Sequence, residues 1–76
     1  MVELRNRVRE LRARDRLSQG ELAQLIGASR QTIALIERGD YAPSIVLVLK
    51  IAAVFSEQVE TIFFLEGDGE SNEEKE

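Results

Sequence analysis

Between Leu17 and Gly39 the chain carries two short apolar-periodic segments, each opened by a serine and closed by a glycine. This punctuation constrains the fold more than any other feature of the sequence. Ser18 and Glu21 have the S-x-x-E spacing in which each side chain satisfies the other's orphan backbone N–H, so a helix starts there. Leu22, Leu25 and Ile26 then recur at helical spacing and are expected to point inward, and Gly27 supplies a left-handed exit free of a Cβ clash. Ser29 is the next N-cap, ahead of a short helix from Arg30 to Arg38 with Ile33 and Ile36 inward and Gly39 as its stop.

The flanking segments extend the helical pattern. Leu4, Val8 and Leu11 recur at i, i+4 and i+7 and predict a first helix from Val2 to Arg14. Glu3 with Arg7 and Glu10 with Arg14 would form i,i+4 pairs on it. Arg5, Arg9, Arg12 and Arg16 make a second stripe that reads as an ordinary solvated face, with Arg12 the candidate exception. Pro43 and Ser44 punctuate the start of a fourth helix, Ile45 to Phe55, which is apolar on more than one side. Val48, Ile51, Ala52 and Phe55 form its core stripe. Val46, Leu49 and Ala53 form a second stripe that a small bundle has little material to cover. A last helix from Val59 to Phe64 would bury Val59, Ile62 and Phe63. No alternating pattern bounded by hairpin turns occurs, so the expected fold is all-α, a bundle of five helices.

Composition narrows the chemistry. The 76 residues contain neither cysteine nor histidine, which excludes a disulfide scaffold, a zinc finger, a thiol nucleophile and an imidazole base. No metal site and no cofactor are expected. Glu37, Asp40 and Glu57 are better read as solvated charge or caps than as a catalytic carboxylate pair, so the chain is not expected to be an enzyme. Even the longest apolar runs, such as Ile45 to Leu49, fall far short of the roughly 20 residues of a membrane span, and a soluble, cytoplasmic protein is expected. The net charge of −4 is unevenly distributed. Residues 1–50 hold nine basic against six acidic residues, and residues 51–76 hold one lysine against eight acids. Six of those acids lie in 66–76, a stretch with no apolar residue to offset the entropy of ordering. Residues 1–65 are therefore expected to form one domain, followed by a disordered acidic tail from 66 to 76. Without the tail the balance is nine basic against eight acidic residues, a net of +1, so bulk charge neither proves nor forbids nucleic-acid binding.

Two short helices joined by a turn centred on glycine are the layout of a helix-turn-helix. Ala23 is small where the second helix must approach the third, and Leu22, Ile26, Ile33 and Ile36 fix the angle between them. At these residues the sequence resembles the Xre family, the Cro and phage-repressor type of helix-turn-helix DNA-binding domain. The resemblance covers about residues 4 to 65. Its most specific parts are Leu17-Ser18-Gln19, Glu21-Leu22-Ala23, Ser29-Arg30-Gln31-Thr32-Ile33, Ile36-Glu37-Arg38-Gly39, Tyr41-Ala42-Pro43-Ser44 and Lys50-Ile51-Ala52. It implies a five-helix, lambda-repressor-like domain whose third helix enters the major groove. It further implies an ion pair between Arg12 and Glu37, and helix N-termini at Gln19 and Ser29 that grip phosphate. Arg30, Gln31 and Leu35 would then face the groove. Arginine can reach guanine O6 and N7, glutamine adenine N6 and N7, and an exposed leucine a thymine methyl. Thr32 suits a base or phosphate contact, and Arg38 and Tyr41 suit phosphate. For Leu35, partial burial in the core is an equal alternative. Val46 and Ala53 are apolar where the family often has polar side chains, and Asp40 stands where a lysine is common.

Two function classes follow. The first is a transcriptional regulator, expected to be a repressor, that binds a two-fold double-stranded DNA operator as a homodimer through Val46, Leu49, Ala53, Phe64 and Leu65. The second is a protein-binding module, such as the antitoxin of a toxin–antitoxin pair, whose acidic tail holds a basic protein partner.

Overall fold

The computed structural model describes residues 2–67. Within them, three helices open on serine. Ser18 caps α2 (Gln19–Ile26) with both bonds of a capping box, Glu21 N–H to Ser18 Oγ at 3.0 Å and Ser18 N–H to Glu21 Oε1 at 2.8 Å. Ser29 Oγ accepts from Thr32 N–H at the start of α3 (Arg30–Arg38), and Ser44 Oγ from Leu47 N–H at the start of α4 (Ile45–Phe55).

The helix ends are equally uniform. α1 (Val8–Asp15), α2, α3 and α4 stop at Arg16, Gly27, Gly39 and Ser56, each in the left-handed region. In every case that residue's N–H and the next one reach back to carbonyls of the last turn, the paired bonds of a Schellman motif. α5 (Val59–Ile62) is a single turn.

The chain is not all-α, and both ends depart from expectation. Residues 3–6 form a strand, β1 (Glu3–Asn6), which pairs antiparallel with β2 (Phe63–Glu66) in the register Glu3↔Glu66 to Asn6↔Phe63. The first helix therefore begins at Val8 rather than Val2, and the fifth ends at Ile62 rather than Phe64. Asn6 sets the first boundary. Its Oδ1 accepts Val8 N–H at 3.0 Å, its Nδ2 donates to Ile36 O at 2.9 Å, and Arg7 N–H goes to Ile62 O. An asparagine that bonds local backbone in this way offers an alternative to the helix. Phe63, Phe64 and Leu65 suit a pleated strand. Leu4 consequently faces Leu65 across the sheet instead of Val8 along a helix. The expected Glu3–Arg7 pair is replaced by Arg5 bridging Glu3 and Glu66. Arg14 is likewise drawn from Glu10 to Asp15, Glu57 and the Phe55 carbonyl, and its hydrogen bond holds the Asp15 carboxyl below the ordinary carboxylate range.

The core joins Val8 and Leu11 of α1 to Leu22, Ala23 and Ile26 of α2, Ile33 and Ile36 of α3, and Val48, Ile51 and Phe55 of α4. Ile62 and Phe63 close its base. Leu25 is a correction, since it is 61% exposed. The buried stripe of α2 runs through 22, 23 and 26, which rotates position 25 to solvent. α2 packs on both α3 and α4. No helix among the described residues is long and apolar enough to cross a membrane. Strand β2 runs to Glu66. The tail from 68 to 76 lies outside the described residues.

Candidate nucleic-acid interface

A short turn joins α2 to α3, and α3 packs on α2 while its first residues stay exposed. Ile33 and Ile36 are buried on its inner side, and Arg30 and Gln31 are exposed on its first turn. Thr32 is half-buried, and its hydroxyl is hydrogen-bonded to Ser29 Oγ at 2.9 Å. Leu35 is half-buried as well. The exposed first turn thus offers a guanidinium and a carboxamide side by side, with donors and acceptor suited to base edges.

Behind this helix stands a polar cluster with Glu37 at its centre. Arg12 Nε reaches Glu37 Oε2 at 2.6 Å and Arg12 Nη2 reaches Oε1 at 3.1 Å, while Arg12 Nη1 donates to Leu17 O. The side chains are 15% and 6% exposed. The hydrogen bond to Glu37 holds the Arg12 guanidinium above its ordinary pKa, against the opposing effect of partial burial. Gln19 Nε2 also donates to Glu37 Oε1, at 3.1 Å. One carboxylate therefore ties α1 and the N-terminus of α2 to the last turn of α3. Gln19 thus has one amide N–H engaged in this cluster, and the Ser29 hydroxyl caps α3 and bonds Thr32.

Sequence reasoning missed Arg9. Together with Arg12, Ser18, Gln19, Gly20 and Arg30 it lines an open cleft of about 610 Å³ beside the start of α2. Arg9 and Arg30 make no ion pair among the described residues. The spacing of Arg9 and Arg12, three apart on one helix, carried the signal. Arg38 and Tyr41 lie at the far end of α3, both exposed. Arg38 Nε and Nη2 both donate to Asp40 Oδ2, at 3.1 and 2.9 Å.

A separate apolar surface lies on α4, where Val46 is 57% and Leu49 55% exposed, with Ala53 exposed beside them. Ile45, one residue earlier, is exposed too and was missed. Leu65 is 70% exposed at the end of β2. Phe64 is half-buried under the Arg7 guanidinium, which sits 4.4 Å from its ring centroid.

Comparison with known proteins agrees with this geometry. The helix-turn-helix family model matches residues 8–61. The uncharacterized HTH-type transcriptional regulator YgzD of Bacillus subtilis is 51% identical over 63 residues, covering 83% of this chain and 96% of that protein. MJ0272 of Methanocaldococcus jannaschii, another uncharacterized HTH-type transcriptional regulator, is 45% identical over 65 residues, 86% of this chain and 98% of that one. Among solved structures, the restriction-modification controller protein C.AhdI from Aeromonas hydrophila superposes with a TM-score of 0.68 at 38% identity, covering 72% of this chain and 83% of the other. With the family model matching residues 8–61 and relatives of this kind covered over most of their length, the chain belongs to the Xre-type helix-turn-helix family.

Proposed function

We propose that the protein is a sequence-specific DNA-binding transcriptional regulator, a repressor that binds a two-fold operator as a homodimer with α3 in the major groove. One observation carries this reading. Arg30 and Gln31 are exposed on the first turn of a helix whose opposite side, Ile33 and Ile36, is fixed in the core. Such a helix is rigidly held yet presents base-reading chemistry. Occupancy of the groove excludes other proteins from the same DNA, which is repression in its simplest form.

The dimer follows from affinity. One module of this size makes few phosphate contacts, and two held together gain through effective concentration. Exposed apolar patches mark interaction sites, and Val46, Leu49 and Ala53 on α4, with Leu65 and the uncovered edge of Phe64, supply one. Selection of bound sequences from random DNA duplexes tests the reading. An inverted repeat with half-sites about 10 base pairs or a multiple apart is expected. Recovery of no sequence preference would overturn it.

A further inference from the structure

Arg38 is one of the basic residues placed for phosphate contact, yet it is already bound to an acid of its own chain. Both Nε and Nη2 donate to the same oxygen of Asp40, and both side chains are largely exposed, 66% and 55%. The acid is held there by the backbone. Gly39 turns the chain in the left-handed region, at φ 82°, and Asp40 N–H closes on Leu35 O at 3.0 Å. The end of α3 therefore fixes the Asp40 carboxylate beside Arg38. A carboxylate at this end of a helix is opposed by the helix dipole, so the fold does not favour it there. Arg38 is its only polar side-chain partner among the described residues.

We propose that Asp40 is an affinity-setting residue that holds Arg38 in place of a DNA backbone phosphate; this rests on the docking of α3 proposed above. Two routes are open when DNA arrives, and both weaken binding. Either the phosphate displaces Asp40, and the exposed ion pair is lost, or the phosphate takes the free Nη1 edge and lies close to a retained carboxylate. In the first route the freed carboxylate also collects a cation, cancelling part of the counterion release that drives association. The effect carries no sequence information, because it acts on phosphate alone. Asp40 thereby lowers binding to all DNA alike and leaves discrimination to Arg30 and Gln31.

The test compares the full chain with Asp40→Asn, Arg38→Ala and the double variant. Each is titrated with a mixed-sequence DNA duplex and with a selected site, over a range of salt. Asp40→Asn should bind both duplexes roughly two- to fivefold more tightly at low salt, the scale of one exposed ion pair. Its slope of log K against log salt should steepen by up to about one unit per subunit. In the Arg38→Ala background the same substitution should do little. Unchanged affinity and slope for Asp40→Asn, or an equal gain with and without Arg38, would overturn the proposal. Failure of the unsubstituted protein to bind any duplex at low salt would instead sink the functional reading itself, so the two failures are distinguishable. Circular dichroism of each variant confirms that the fold is retained.

Discussion

Glu37 accepts from Arg12 and Gln19 with almost no access to water, and this makes it the residue on which the geometry of the interface turns. A largely buried ion pair is a weak net stabiliser, because desolvation offsets much of the attraction, but removing one partner strands the other at a cost of up to about 3–5 kcal/mol. Arg12→Ala and Glu37→Ala should each lower stability by that order. Gln19→Ala should cost less, about 1–3 kcal/mol, because Arg12 still satisfies the carboxylate. Urea unfolding of the three variants checks the ranking. A Gln19→Ala loss equal to that of Arg12→Ala would show that Gln19, not Arg12, holds the cluster. The Arg12–Glu37 pairing was implied by the family motif. The Gln19–Glu37 bond was not legible, because a sequence shows that an amide is available but not which acceptor lies nearest in three dimensions.

At the scale of the element, α2, α3 and α4 were legible to within a residue because their signals are local. A serine, a 3.6-residue period and the following turn all lie within a dozen positions. The sheet was not legible. It pairs Glu3 with Glu66, and the apolar spacing of Leu4, Val8 and Leu11 continues a helical period straight across the Asn6–Arg7 boundary, where only the side-chain bonds of Asn6 mark the change. The helix ends carry a further prediction. Gly27 and Gly39 have φ of 73° and 82°, and Arg16 and Ser56 adopt the same region at 59° and 56° without being glycine. The left-handed region costs a residue with a Cβ about 1–2 kcal/mol, while glycine loses more chain entropy on folding, about 0.5–1 kcal/mol. Ser56→Gly should therefore raise stability by about 0.5–1 kcal/mol, and Gly39→Ala should lower it by a similar amount. A Cβ at Gly39 would meet no atom within 4 Å, so the loss is one of backbone conformation alone. Thermal melts of the two variants should move in opposite directions; movement in the same direction would contradict the assignment.

For the whole molecule, the apolar stripe of α4 and the exposed first turn of α3 lie on different helices, and under the proposed function one copy would bind DNA through α3 and a second copy through α4. The α4 stripe was legible from the period of Val46, Leu49 and Ala53. Its extension to Ile45 was not, since a residue at a helix start can face either way. Sedimentation of the protein at micromolar concentration should show a dimer, and Leu49→Glu should yield a folded monomer, because a charge cannot be desolvated at such an interface without a partner. A wild-type protein that sediments as a monomer, free and on DNA, would remove the α4 interface. The central claim is that α3 reads bases through its first turn, and the most direct test is the binding of Arg30→Ala and Gln31→Ala to a selected site and to each single-base variant of it. At least one substitution should cost about 1–3 kcal/mol on the preferred site and relax the preference at one base pair per half-site. Arg38→Ala should instead weaken all sequences alike. If both first-turn variants fold and keep the full base preference, α3 is not the reading helix.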